Sequence, residues 1–416
     1  MYWQSVQQPS EYWPRAIVLV DMNAFFASVE QLDHPEWRGR ALAVTNGKQG
    51  TCVITSSYEA RAFGIKTGMR LREAQRLCPD LVQVPANPER YVGVSRAIMD
   101  ALATLTPDFE IFSIDEAFLD VTRCQLLFGS PEKIGLMAKA LVFEASGLQC
   151  SIGVSGDKTT AKYAAKLQKP NGFTVIPPWE AKARLKQVPV TELCGIKSGI
   201  GGFLARHGVM TCGDMEKVPI SILAKRFGNL GRRIWYMCQG ADPDPVHTQV
   251  GSPKSMGHGK VMPPNTRDVQ VIETYLMHMC EKLGARLRRH HFHAQHFFAG
   301  VRSYDFGWLG TVGQTVQATN DGREIYQLSS FILAQRWQGE PVCQIQVTAL
   351  DPSSAGLQLD FLAESDTKRE LVNEVMDDIN DKFGEFTIAP VPLLFRSAMP
   401  NVIAPAWKPD GHRQTI

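Results

Sequence analysis

The chain has 416 residues, 44% of them hydrophobic and 21% charged, with a net charge of +2; this composition excludes a disordered or collagen-like chain, and the length implies two to four domains. No apolar run is long enough to span a bilayer, and the N-terminal residues, with aromatics and Pro but no basic start and apolar core, are no secretory signal. Nine cysteines scattered singly fit a reducing cytoplasm and argue against structural zinc.

In chain order, residues 16–21 (Ala-Ile-Val-Leu-Val-Asp) predict a strand and 25–32 a helix, followed by strands at 40–45 and 51–56 and helices at 58–63 and 71–77. Residues 95–104 read as a helix and 110–120 as one strand through a core. Helices are then expected at 131–145 and 159–167, with strands at 149–154 and 172–176. Strands mixed with helices, without strict alternation, predict an α+β sheet covered by helices. No glycine-rich phosphate loop of the Walker or dinucleotide type is present. From 178 to 240 the pattern turns helical. It holds two Gly-containing turns, around Gly195, Lys197, Gly199 and Gly201, and around Gly228, Gly231 and Arg232. Backbone amides at such turns can hold a phosphate, although an ordinary helix end looks similar.

Residues 249–262 read as a linker, 269–290 as a basic helix, 295–302 and 342–350 as strands, and 325–337 as a helix, together a second small α+β domain. Lys260, Arg267, Lys282, Arg286, Arg288, Arg289 and Arg302 suit either a polyanion partner or a solvated helix face. His290, His291, His293 and His296 share no helical face with another metal ligand and read as surface or strand histidines.

The chemistry concentrates in Ser113-Ile114-Asp115-Glu116-Ala117, where two adjacent carboxylates interrupt an apolar run, and in Asp21 at the end of the first strand. Burying a carboxylate costs several kcal/mol unless a cation or hydrogen bonds compensate, so two acids there point to a hard divalent cation. A turn residue or helix cap is the plainer reading of Asp21 taken alone. Likewise Phe26 alone reads as core, and Arg61 or Lys169 alone as a surface charge.

Val20-Asp21-Met22-Asn23-Ala24-Phe25-Phe26, Ser57-Tyr58-Glu59-Ala60-Arg61, residues 113–118 and Lys169-Pro170-Asn171-Gly172, in this order, resemble the Y-family translesion DNA polymerases, the group holding bacterial DNA polymerase IV and the catalytic subunit of polymerase V. The resemblance runs from about residue 16 to 349. It implies a right-hand polymerase: a palm at 15–24 and 86–177, small fingers at 25–85, and a helical thumb with helix-hairpin-helix elements at 178–247. A linker at 248–256 and an α+β little finger at 257–352 follow, with an N-terminal extension at 1–14 and a C-terminal tail at 353–416. The implied reaction is template-directed, low-fidelity addition of dNTPs to a primer 3′-hydroxyl, with roles in damage tolerance, the SOS response and mutagenesis. Asp21, Asp115, Glu116 and the Met22 carbonyl would hold two Mg²⁺ ions. Thr55, Tyr58, Arg61 and Lys169 would bind the triphosphate, and Phe26 would be the steric gate against ribose. Gly195, Lys197, Gly199, Gly201, Gly228, Gly231 and Arg232 would touch primer-template DNA.

The pattern departs at Asn23, where some relatives carry another acid, and at Lys197-Ser198, which replaces a Gly/Pro turn. In the tail, Gln358, Leu359, Phe361 and Leu362 resemble a sliding-clamp peptide with its last two residues exchanged. A clamp is therefore an expected partner, and the resemblance to the polymerase V group leaves room for an accessory mutagenesis subunit. The competing reading is a catalytically inactive DNA-binding relative; such proteins lose the acids that this chain keeps. A metal-dependent nuclease would share the carboxylates but has no need of Phe26 or the triphosphate set.

Overall fold

The computed structural model describes residues 12–47, 52–354 and 367–395, which fall into two units that divide between Val250 and Gly251. The first unit begins with β1 (Ile17–Met22), α1 (Phe25–Asp33), β2 (Leu42–Thr45), β3 (Val53–Ser56), α2 (Tyr58–Ala62), α3 (Leu71–Leu77) and β4 (Val82–Pro85). It continues through α4 (Pro88–Ala103), β5 (Phe109–Ile111), β6 (Glu116–Asp120), α5 (Gln125–Phe128), α6 (Pro131–Ser146), β7 (Cys150–Ser155), α7 (Lys158–Leu167) and β8 (Phe173–Ile176).

Five of these strands form one sheet in the order β5-β6-β1-β7-β8, with β1 central and antiparallel to both neighbours. Side chains alternate between the two faces of a strand. Val18, Val20 and Met22 therefore pack into the large cluster with Ile98 of α4 and Ile134 of α6, whereas Ile17 and Leu19 join Phe118, Ala161 and Ala165 against α7. A strand buried on both faces has to be apolar throughout, which is why β1 reads as an unbroken hydrophobic run. Asp21 shares parity with Ile17 and Leu19, and Glu116 shares it with Phe118. Both acids thus point to the α7 face.

The segment 110–120 is not one strand. β5 and β6 form an antiparallel hairpin, and residues 112–115 are its turn. The apolar run Phe-Glu-Ile-Phe-Ser-Ile hides the break, because its hydrophobicity continues through the bend. The helix expected from residue 95 starts instead at Pro88, where the Asn87 side chain accepts from Arg90 N and Pro occupies the first turn. A smaller sheet, β3-β2-β4, packs Ala43 and Val53 on Ala60, Ala74 and Leu81. Trp13, for which the sequence offers no role, is buried edge-on against Trp179, with ring centroids 5.8 Å apart.

Asp157 caps α7, accepting from Thr160 N at 2.9 Å and from Thr160 Oγ1 at 2.6 Å. Burial pushes its carboxyl up to about 6. A carboxyl raised in the folded state contributes stability below its unfolded value and loses it as pH rises through the folded one. Asp157→Asn keeps the acceptor, so it is expected to stabilise by about 1–3 kcal/mol above pH 7 and not near pH 4. Thermal unfolding at both pH values checks this; an equal change at both would refute it.

Beyond β8 come α8 (Pro178–Leu185), α9 (Ser198–Arg206), α10 (Ile220–Phe227) and α11 (Asn229–Cys238), with their own core of Leu185, Ile196, Leu204, Leu223 and Ile234. In the second unit, β9 (Met256–Thr266), α12 (Val269–Arg289), β10 (Phe292–Ser303), β11 (Gly307–Thr319), α13 (Gly322–Arg336) and β12 (Val342–Ala349) make a sheet ordered β11-β10-β12-β9, onto which α12 and α13 pack. β9 begins at Met256, so the linker-like composition of 256–262 belongs to a strand. Its glycines at 257 and 259 lie opposite Thr348 and Gln346. Among the four histidines, His296 pairs with Asp351 at 2.7 Å and His293 meets Asn320 at 2.9 Å.

After β13 (Ser353–Ser354) comes α14 (Thr367–Phe383), a helix that the sequence did not announce. Asp377 takes a two-pronged hydrogen bond from Arg288 at 2.6 and 2.8 Å, and Asp381 accepts from Arg289 at 2.7 Å. Arg369 and Asn373 donate to Asp321, the cap of α13, at 2.6 and 3.0 Å, and Lys282 meets Glu385 at 2.7 Å. Three cations of the basic helix are thus engaged with acids of the same unit. On α14 Asn373 is buried and Met376, Asp377 and Ile379 are half-buried, while Leu371, Val372 and Val375 are exposed.

Candidate active site

The register of β1 on β6 sets Asp21 directly opposite Glu116. At the strand ends Met22 N donates to the Asp115 carbonyl at 2.9 Å, so the hairpin turn carrying Asp115 is tied to the exit of β1. Ser113 Oγ donates to Asp115 Oδ1 at 2.6 Å. One antiparallel pairing therefore brings Asp21 beside the adjacent acids Asp115 and Glu116, which lie far from it in sequence.

Two lysines answer them. Lys169 Nζ lies 2.5 Å from Asp21 Oδ1, and Lys162 Nζ of α7 lies 2.6 Å from Glu116 Oε2. Burial above all, with Glu116 and Asp115 adding to it, pushes the Asp21 carboxyl up to about 7 against the pull of Lys169. Desolvation and then the Glu116 charge raise Asp115 as well. For Lys162 desolvation is the largest influence and pulls downward, yet Glu116, Cys194 and Asp21 together outweigh it and the ammonium is held above its ordinary range. Among the described residues no three His, Cys, Asp or Glu side chains are closed up as around an ion. Asp21 and Glu116 are instead turned onto ammonium groups. The donor set itself fits a hard divalent cation: oxygen ligands only, with negative charge that the two lysines compensate incompletely.

The proposed triphosphate ligands divide. Arg61 Nε donates to the Ser56 carbonyl at 3.1 Å, and its guanidinium stands 4.7 Å from the Tyr58 ring centroid. The Tyr58 hydroxyl is buried with no partner among the described residues, although its ring packs on the cluster that holds Phe25 and Phe26. A buried donor lacking an acceptor costs free energy until one arrives, which suits a phosphate oxygen. Thr55 lies in β3 opposite Val44, and Lys169 joins the acids rather than Arg61. Lys169 is followed by Asn171 at φ +58° and by Gly172, where a Cβ would sit 2.3 Å from the Gln168 carbonyl oxygen. Asn23 accepts from Ser151 Oγ at 2.9 Å, a structural role.

Phe26 is buried and stacked on Tyr91, with centroids 4.3 Å apart and planes 11° from parallel. Tyr91 in turn donates to Glu30 Oε1 at 2.6 Å. Of the glycines in the two turns, Gly201 and Gly231 serve packing, since a Cβ would meet Thr191 Cγ2 at 2.7 Å and the Leu223 carbonyl at 2.1 Å. Around Gly195, Gly199 and Gly228 there is open space. Lys197 is the exposed cap of α9, and Arg232 donates to Asn229 at 2.9 Å. Gly195 and Leu230 line one cavity of about 360 Å³ with Phe112, Lys158 and Lys162, so both turns reach the rear of the hairpin that carries Asp115 and Glu116. Gln358, Leu359, Phe361 and Leu362 lie outside the described residues.

Sequence reasoning missed Lys162, Tyr91 and Ser113. The spacing of Lys158, Lys162 and Lys166 on one helix was the available signal for the first.

The impB/mucB/samB family matches residues 20–166, and its C-terminal domain matches residues 253–361. A DNA polymerase IV of Moorella thermoacetica is 33% identical over 381 residues, covering 90% of this chain and 94% of the relative. Another, from Pelotomaculum thermopropionicum, is 33% identical over 382 residues, with 89% and 94% covered. A solved Y-family DNA polymerase chimera, Dbh-Dpo4(243-245)-Dbh, is similar with a TM-score of 0.70 at 27% identity, covering 80% of this chain and 98% of the other.

Proposed function

The chain belongs to the Y-family DNA polymerases, within the impB/mucB/samB family, and from that premise we propose how its residues carry the reaction. It is a DNA polymerase of the translesion type; the inactive relative is not favoured. The observation that carries the assignment is the cross-strand pairing of Asp21 with Glu116, with Asp115 tied to Met22 beside them. Asp21, Asp115, Glu116 and the Met22 carbonyl are assigned to two Mg²⁺ ions, which when bound lower the pKa of the primer 3′-hydroxyl and neutralise the triphosphate. Lys169, Arg61, Tyr58 and Thr55 bind and orient that triphosphate by charge and hydrogen bonds. Phe26 blocks the 2′ position of the sugar.

In this reading residues 15–24 and 86–177 are the palm, 25–85 the fingers, 178–247 the thumb and 257–352 the little finger. The open backbone at Gly195, Gly199 and Gly228, with Lys197 and Arg232, grips phosphates without reading bases, so DNA affinity falls steeply with salt. The free cysteines support a cytoplasmic setting, and among the described residues no helix is long and apolar enough to cross a membrane.

Primer extension over defined lesions, with and without a sliding clamp, tests the reading. Insertion opposite at least one blocking lesion is expected, with clamp stimulation lost in Phe361→Ala/Leu362→Ala while basal synthesis stays. Arrest at every lesion, or stimulation that survives the double change, would reject the corresponding part. An accessory mutagenesis subunit, the other proposed partner, would show as a further gain on addition.

A further inference from the structure

Behind the acids lies a second charged cluster, whose central pair, Glu110 and Lys158, is buried. Glu110 of β5, buried, sits opposite Phe118 in the hairpin. Its Oε2 accepts from Lys158 Nζ at 2.7 Å and from His247 N at 2.8 Å. Lys158 reaches on to Asp244 Oδ2 at 2.8 Å and to the Pro245 carbonyl at 3.1 Å. Asp242 takes both prongs of Arg233 at 2.8 and 2.9 Å and the Thr159 hydroxyl at 2.6 Å, while Arg15 donates to the carbonyls of Asp242 and Asp244 at 2.7 and 2.5 Å. Residues 242–247 are thereby sewn to the back of the sheet.

Lys158 and Lys162 stand one turn apart on α7, hence on the same face. The first holds Glu110 on the outer strand of the catalytic hairpin, and the second holds Glu116 on the inner strand. Phe112 N and Ser113 N then donate to the Glu116 carbonyl at 3.0 and 3.1 Å, which closes the turn that presents Asp115. Apolar replacement of a buried ion pair is often neutral for stability, whereas a charge-assisted hydrogen bond fixes direction as well as distance.

We propose that Glu110 and Lys158 are positioning residues for nucleotidyl transfer, holding the β5–β6 hairpin so that Asp115 and Glu116 keep their place against Asp21. The proposal rests on the catalytic assignment of those three acids. A displacement of about 1 Å at reacting groups costs on the order of a hundredfold in rate, and a loosened hairpin part of that.

The test is single-nucleotide insertion by the full chain carrying Glu110→Gln, which keeps the shape and the acceptor for His247 N. The expected result is a fall in kcat of about tenfold, with the KM for dNTP and the Kd for primer-template within about twofold; Glu110→Asp, which restores the charge, recovers most of the rate. Unchanged kcat overturns the proposal, as does a parallel change of kcat, KM and Kd that tracks loss of folded protein. If Glu110→Gln does not fold, Lys158→Gln/Glu110→Gln, a neutral hydrogen-bonded pair, decides it: parental kcat overturns the proposal and reduced kcat alone supports it. Asp115→Ala in the same assay separates the two claims, because activity surviving that change defeats the catalytic assignment itself.

Discussion

Asp115→Ala is expected to lower nucleotide insertion by at least about 10³-fold, the scale on which an enzyme loses its charge-stabilising group. Primer-template affinity should change by no more than about twofold, since the proposed DNA grip lies at the turns around Gly195 and Gly228. The change should not unfold the chain. Among the described residues Asp115 has no lysine partner within hydrogen-bonding distance; its side chain accepts from Ser113, and desolvation together with Glu116 opposes its ionised form. Removing it relieves repulsion at neutral pH, so the melting temperature should hold or rise. Single-turnover extension, anisotropy with labelled DNA and thermal unfolding read these three quantities separately. Substantial insertion by a folded variant would end the assignment.

Phe26→Ala is expected to reduce discrimination against ribonucleotides by about 10²-fold, the upper range for removing a steric contact in a pocket. The ring cannot swing aside, because it is stacked on Tyr91, whose hydroxyl is anchored on Glu30. In the proposed gate, that rigidity would let a flat apolar face reject one hydroxyl. Truncation also leaves a cavity worth about 3–5 kcal/mol, so kcat/KM for dNTP and rNTP should be compared at a temperature well below unfolding. Discrimination that remains at the parental level would mean that another side chain guards the sugar.

Particular residues show how far the sequence reached. The strand ending in Asp21, the pair Asp115-Glu116 and the following helix with Phe26 are visible because strong local patterns generate them. The hairpin turn at 112–115 is not, since hydrophobicity runs straight through it. β11 carries glycines at 307, 310 and 313, which dilute the alternation of an edge strand. Lys158 and Glu110 meet across 48 positions of sequence, and no local rule points from one to the other. α14 escaped notice for a different reason. A periodicity search asks for an apolar stripe facing inward, and this helix turns Arg369, Asn373 and Asp377 to its unit instead.

That inversion has a consequence for how the C-terminal helix comes loose. An element fastened by oily contacts tightens as electrolyte is added, but one fastened by guanidinium–carboxylate links loosens, because mobile ions compete for each charge. Brine should therefore peel α14 from its unit before the sheet beneath it notices. Arg288 and Arg289 would then lose Asp377 and Asp381, beside an aliphatic ridge at Leu371, Val372 and Val375 already facing water.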